Sequence, residues 1–165
     1  PTDLNHAGTV FGGWVMAKMD KAASIQVEEV INSPAVTMSV SNFSFLKPIH
    51  NGDVFMVYTQ VERIGNTSID IHVELIVRSK EDLSEKKVTQ GVFTFVAVNS
   101  KSKTVKIREV LRSHVAPYIT EMLENQIRVK SHGNDIYNKF FPRGFKASFR
   151  LEVNSYLSMQ NSSMQ

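Results

Sequence analysis

Cysteine is absent from all 165 residues. Disulfides, thiolate-bound zinc, iron–sulfur clusters and a cysteine nucleophile are excluded together, and the lack fits a reducing compartment. No apolar run approaches the roughly 18–20 residues that a membrane-spanning helix needs. The start shows no charged segment followed by an apolar one. The chain opens at Pro1 without a methionine, and the expectation is a cytoplasmic protein clipped at its N-terminus. Also missing are the nucleophile elbow GxSxG, the phosphate-binding P-loop, the dinucleotide fingerprint GxGxxG and the zinc motif HExxH. The five histidines, His6, His50, His72, His114 and His132, show no metal-ligand spacing.

What is present suits one globular domain of 18.6 kDa, 42% hydrophobic and 21% charged. The net charge of +3 hides an asymmetry. Residues 1–100 hold 8 Lys and Arg against 11 Asp and Glu, and residues 101–165 hold 11 against 5. The basic part is not dense: Lys101, Lys103, Lys106, Arg108 and Arg112 are spaced out. A solvated face explains them, and a phosphate-rich ligand is the alternative.

Residues 1–12 read as an irregular lead-in rich in Gly, Pro and Asn. A 3.6-residue apolar period predicts a helix over 13–31, ended by Asn32-Ser33-Pro34. Period-2 patterns predict strands over 36–46, 53–64, 67–78 and 87–98, and the short turns at 49–52 and 65–66 imply antiparallel hairpins. The expected fold is α+β, one long helix against one face of an antiparallel sheet. His72 alternates with Ile71 and Val73 and reads as a polar-face residue beside Asp70 and Glu74. A second helix is expected over 113–128, with Pro117 arguing for a break. Residues 129–165 are expected to be a variable or poorly ordered tail.

The informative stretch is residues 5–20, NHAGTVFGGWVMAKMD. Gly12 and Gly13 open the long helix, where the first N–H groups lack internal acceptors and the dipole end is positive. Such an end can stabilise a carbonyl that gains negative charge. Asp20 follows two turns later, with Met16, Ala23 and Val27 on its flank. A carboxylate among apolar neighbours has either a partner or a function. A structural bond to a nearby loop is the alternative.

The opening PTDLNHAGTVFGGWVMAKMD resembles that of hotdog-fold acyl-CoA thioesterases of the YciA type, matching at Pro1, Thr2, Asp3, Asn5, Gly8, Val10, Phe11, Gly12, Gly13, Met16, Met19 and Asp20. FSFLKPIHNGDVF (43–55), VERIGNTSIDIHVEL (61–75) and VFTFVAVN (92–99) resemble later segments of that family in the same order. The resemblance implies a hotdog fold over residues 1–112, in which a long helix is wrapped by the sheet. The family's first strand, ahead of the Pro1 position, is missing here. It implies hydrolysis of an acyl-CoA to a free acid and CoA, without a cofactor or metal. Asp20 would be general base or nucleophile, Asn5 would come from a partner subunit, and the Gly12 and Gly13 N–H groups would polarise the thioester. It also implies obligate dimers, often joined as hexamers (trimers of dimers).

Basic residues should line the CoA entrance; Lys47, Arg63 and the 101–112 cluster are candidates. Thr67 and Ser68 are candidates for pantetheine or phosphate. Phe11, Trp14, Phe43 and Phe45 could form an acyl slot, although core packing explains each alone. Two other readings compete: an acyl-CoA-binding sensor without turnover, for which no DNA-binding helix-turn-helix is evident, and a hydratase or dehydratase, for which the helix motif lacks a His. Nucleic acid and membrane are not expected partners.

Overall fold

The computed structural model describes residues 4–125 and the backbone of residues 147–152. The matching residues Pro1, Thr2 and Asp3 and most of the expected tail lie outside the described residues. Helix α1 (Gly12–Val30) is followed by β1 (Ala35–Phe45), β2 (Val54–Ile64), β3 (Ser68–Arg78) and β4 (Glu85–Ala97), then α2 (Ile107–Val110), α3 (Pro117–Asn125) and β5 (Ala147–Glu152). The sheet is antiparallel, in the order β1-β4-β3-β2-β5. No helix among the described residues is long and apolar enough to cross a membrane.

The period-2 pattern explains the core. Phe55 pairs with Val77, Val57 with Leu75, Thr59 with Val73 and Val61 with Ile71. These side chains line one face of the sheet and are buried with Phe93 and Phe95 of β4. The α1 stripe of Val15, Met19, Ala22, Ala23, Val27 and Val30 covers that face. Trp14 meets Phe55 edge to face, with ring centroids 5.4 Å apart. Gln26 lies buried in the stripe, where Thr59 Oγ1 donates to its Oε1 at 3.2 Å. That bond removes the penalty of burying the amide oxygen.

The opposite face carries the polar residues of β3, and it is buried rather than solvated. His72 is only 7% and Asp70 5% exposed. Asp70 accepts from Arg63 Nε at 2.8 Å and from Thr94 Oγ1 at 2.9 Å. That contact, chiefly the hydrogen bond, raises the Arg63 pKa. His72 Nε2 stands 3.2 Å from Glu74 Oε1, which also accepts from Lys87 Nζ at 3.1 Å.

The C-terminal segments differ from the sequence expectation in detail. Pro117 is the first residue of α3, where its missing N–H costs nothing. Within the stretch expected to be a tail, Ala147–Glu152 forms β5 and pairs antiparallel along β2 from Val54 to Thr59. Its sequence ASFRLE alternates apolar and polar residues, a short period-2 signal that the expectation of a tail passed over. The far edge of the sheet is β1, which carries no further strand among the described residues.

Candidate active site

Three features meet at the start of α1. Phe11, its N-cap, is extended and offers no side-chain cap, and the first turn holds no acidic residue. The first intrahelical bond runs from Val15 N–H to the Phe11 carbonyl at 3.2 Å. The N–H groups of Gly12 and Gly13 therefore have no acceptor among the described residues. The two glycines serve different ends. A Cβ at Gly12 would stand 2.7 Å from Cζ of Phe45, so the ring can lie there only over a glycine. A Cβ at Gly13 would meet nothing within 4 Å. Gly13 thus faces open space at the positive end of the helix, where an outside group can approach the backbone.

Asp20 is half-buried on α1, and its Oδ1 accepts from Thr37 Oγ1 on β1 at 2.7 Å. This bond fixes the carboxylate and leaves Oδ2 free of a hydrogen-bond partner among the described residues. Thr37 was missed by the sequence reading. It lies 17 residues from Asp20, and no local spacing links a helix to an edge strand over that distance.

Asn5 is tied into its own turn. Its Oδ1 accepts from the N–H groups of Ala7 (2.9 Å) and Thr9 (3.1 Å), and its Nδ2 donates to Thr9 Oγ1 at 2.7 Å. One Nδ2 hydrogen is left for another acceptor. The next residues run beside the β1–β2 connection, with Val10 N–H donating to the Ile49 carbonyl at 3.0 Å. That contact delivers Phe11 and Gly12 to the Phe45 end of β1.

Within one chain these elements do not converge on one point. At 1.5 Å per residue, Gly13 and Asp20 are separated by roughly 10 Å along the helix axis. A carbonyl touching the Gly13 N–H is out of hydrogen-bond reach of the same chain's Asp20. Helix α1 runs against β1, with Gly12 under Phe45 and Asp20 bonded to Thr37.

The expected CoA-contacting residues are also scattered. Thr67 precedes β3 and Ser68 begins it, whereas the Lys47 backbone N–H bonds to the Val88 carbonyl near the other end of the sheet. An 11-residue strand is roughly 34 Å long, so the two groups sit at opposite ends of one chain. The backbones at 67 and 68 are engaged: the Thr67 carbonyl accepts from Ala97 N–H and the Ser68 carbonyl from Gly65 N–H. Among the basic candidates, Arg63 is held by buried Asp70. Arg108 Nη2 donates to the Leu123 carbonyl at 2.7 Å, and Arg112 Nε to the Glu28 carbonyl at 2.6 Å. These two arginines cap chain carbonyls, a role that charge counting along a sequence does not reveal.

The aromatic candidates divide. Trp14 and Phe43 pack against the core. Phe11 and Phe45 are 49% and 55% exposed, contrary to core packing as their explanation. The cause lies in β1, where Asn42 has φ 51° and the register slips between Ser41 and Ser44. A bulge of this kind re-aims the side chains that follow it. Phe45 turns over Gly12, with its ring 5.0 Å from that of Phe43. Among the described residues no cluster of three His, Asp or Glu side chains could hold a metal ion.

The model of the thioesterase superfamily matches residues 7–83. The chain is 42% identical over 110 residues to an uncharacterized acyl-CoA thioester hydrolase of Haemophilus influenzae, covering 64% of this chain and 71% of that one. It is 35% identical over 106 residues to the acyl-CoA thioester hydrolase YciA of Escherichia coli, covering 62% and 80%. Among solved structures it superposes on the hexameric broad-specificity acyl-coenzyme A thioesterase HI0827, in an aspartate-to-alanine mutant. The TM-score is 0.65 at 34% identity, over 76% of this chain and 89% of that one.

Proposed function

The chain belongs to the thioesterase superfamily, among the YciA-type acyl-CoA thioester hydrolases, and from that premise we propose that it hydrolyses acyl-CoA to a free carboxylic acid and CoA at a site shared by two copies. The observation that carries the reading is the pair formed by an uncapped helix N-terminus facing open space at Gly13 and a carboxylate fixed by Thr37 on the same helix. A thioester needs two kinds of help: donors aimed at its oxygen, and a base for the attacking water. The N–H groups of Gly12 and Gly13 supply the first. Asp20 supplies the second, taking a proton from water as the water oxygen bonds to the carbonyl carbon. Collapse of the tetrahedral adduct breaks the carbon–sulfur bond, and the CoA thiolate leaves and takes up a proton. Direct attack by the carboxylate is the variant of this scheme in which an anhydride forms first.

The second copy resolves the separation along α1. Edge strand β1 exposes Val36 and Met38, 48% and 64% accessible, and its outer backbone edge is unpaired among the described residues. Such an edge invites pairing with another strand. A two-fold antiparallel pairing of β1 with its copy sets the Phe45 end of one strand against the Thr37 end of the other. Gly12 and Gly13 of one copy then approach Asp20 of the second, and Asn5 accompanies the glycines. We take the dimer as the catalytic unit and a hexamer, a trimer of dimers, as the assembly. The thioesterase HI0827 is hexameric, which supports that assembly. The substrate implies work in the cytoplasm, and the scheme uses no cofactor or metal.

Release of free CoA thiol from acyl-CoAs of increasing chain length tests the reading, with wild type, Asp20→Asn and Thr37→Val compared. Wild type is expected to turn over at least one of them. Asp20→Asn should lose roughly a hundredfold or more in kcat, the size of a positioned base. Thr37→Val, which frees the carboxylate without removing it, should lose less, with KM little changed. A folded, oligomeric wild type that turns over no acyl-CoA would refute the reading.

A further inference from the structure

The end of β1 that carries Phe45 is held by β4. Ser41 pairs with Val92 and Ser44 with Gln90, so Asn42 and Phe43 together stand opposite Gly91. Two residues against one make a bulge, and the single residue facing this one has no side chain. Glycine inside a strand weakens it and often marks the close approach of another segment. Here that segment is Phe43. A Cβ at Gly91 would stand 2.6 Å from Cδ2 of the Phe43 ring and 3.5 Å from the Phe43 Cα. The ring rests on the bare Gly91 backbone, edge to face with Phe93 at 6.2 Å between centroids. Two residues earlier on β4, Thr89 is fully buried, and its Oγ1 donates to the Ser44 carbonyl at 2.7 Å. Leu46 N–H continues the hold by donating to the Val88 carbonyl at 2.8 Å.

Ser44 is the residue between two rings. Phe43 on one side of it is seated on Gly91, and Phe45 on the other meets Phe43 at 5.0 Å and covers Gly12. The contacts form one path, from Gly91 through Phe43 and Phe45 to Gly12. Each end is a glycine whose missing Cβ makes room for a ring. The Phe45 ring closes one side of the helix N-terminus and leaves the other, at Gly13, open. We propose that Gly91 and Thr89 are positioning residues for the thioester donors: they set the place of the Phe45 ring and, through it, of the Gly12 and Gly13 N–H groups. This role rests on the activity proposed above. Neither residue touches the substrate. Packed interiors pass on displacement instead of absorbing it, so a methyl group at Gly91 has to move the Phe43 ring, and the Phe45 ring with it.

Two readouts test the role together: turnover of an acyl-CoA, and the amide signals of protein carrying isotope-labelled glycine. Gly91→Ala should lower kcat about tenfold to a hundredfold, the size of a small misplacement at a reacting centre, with KM little changed. In a Phe43→Leu background, where the smaller side chain leaves room, the same substitution should cost no more than about threefold. Thr89→Val, which keeps the shape and removes the donor, should lose kcat in the same way, and Thr89→Ser should recover most of it. Ile107→Val, a core substitution in α2, lowers stability without touching the path and should keep the wild-type kcat per folded site.

The Phe45 ring current acts on the Gly12 amide, so the Gly12 and Gly13 signals should shift in Gly91→Ala and Thr89→Val and stay in place in Ile107→Val. Signals that stay in place in all three variants overturn the role, and so does an equal cost of Gly91→Ala in both backgrounds. Either result leaves the hydrolase reading intact. If Gly91→Ala does not fold, the Thr89 pair carries the same test. A folded, oligomeric wild type without turnover refutes the hydrolase reading instead, and the glycine signals still decide whether β4 sets the helix end.

Discussion

Gly12 and Gly13 are adjacent and have different reasons to be glycine. Gly12 makes room for the chain's own Phe45, whereas Gly13 opens onto space that the described residues leave empty. Gly12→Ala should drive the Phe45 ring aside and lower both stability and turnover. Gly13→Ala should leave thermal stability equal or slightly higher, since alanine favours helix by up to about 1 kcal/mol. It should still cut kcat/KM at least about tenfold by crowding the approach to the donors. Melting curves and turnover measured on both variants check the contrast. Tyr118 gives a pH prediction. Burial, and next the charge of Glu29, raises its pKa to about 12. The unfolded chain ionises this phenol from pH ~10, so the stability it contributes is whole below that pH and is lost as pH rises towards 12. The slope is at most about 1.4 kcal/mol per pH unit. Urea unfolding at pH 9 and pH 11 should show a smaller decline in Tyr118→Phe than in wild type.

The elements were the most legible part of the sequence, and the side-chain partners were the least. The 3.6 period of α1 and the period-2 runs of β1 to β4 gave boundaries within two residues of those observed, because each run is long and one-sidedly apolar. Asp20 and the glycine pair stood out for the same reason, as departures from an otherwise regular pattern. Thr37 did not, because its hydrogen bond joins two elements. The bulge at Asn42 was hidden too, and with it the turning of Phe45 towards Gly12. Arg108 and Arg112, read from the sequence as a solvated face with a phosphate-rich ligand as the alternative, donate to carbonyls near the ends of α3 and α1. Arg112 also donates its backbone N–H to the Val30 carbonyl at 3.0 Å, at the C-terminus of α1, where a cation is favourable. Arg112→Ala should destabilise the fold by about 1 kcal/mol without changing the KM for acyl-CoA. Denaturant unfolding with parallel kinetics checks both.

At the scale of the whole molecule, one chain holds all the groups that the proposed scheme uses and cannot bring them together. Roughly 10 Å of helix lies between Gly13 and Asp20. The free edge of β1 lies beside Asp20, and its Val36 and Met38 offer apolar surface for a copy. Activity and assembly are therefore one property: dilution or a charge placed at Met38 should remove both together.

Subunit mixing tests that arrangement most directly. Asp20→Asn lacks the base, and Gly13→Val blocks the donors, so each variant alone should be inactive. The two are unfolded together in equal amounts, refolded, and assayed for CoA release. In a shared site, half of the dimers are mixed and each mixed dimer holds one intact site, so about a quarter of wild-type activity should return. If base and donors acted within one chain, every site would carry a defect, and a mixture as inactive as its parents would contradict the two-copy site.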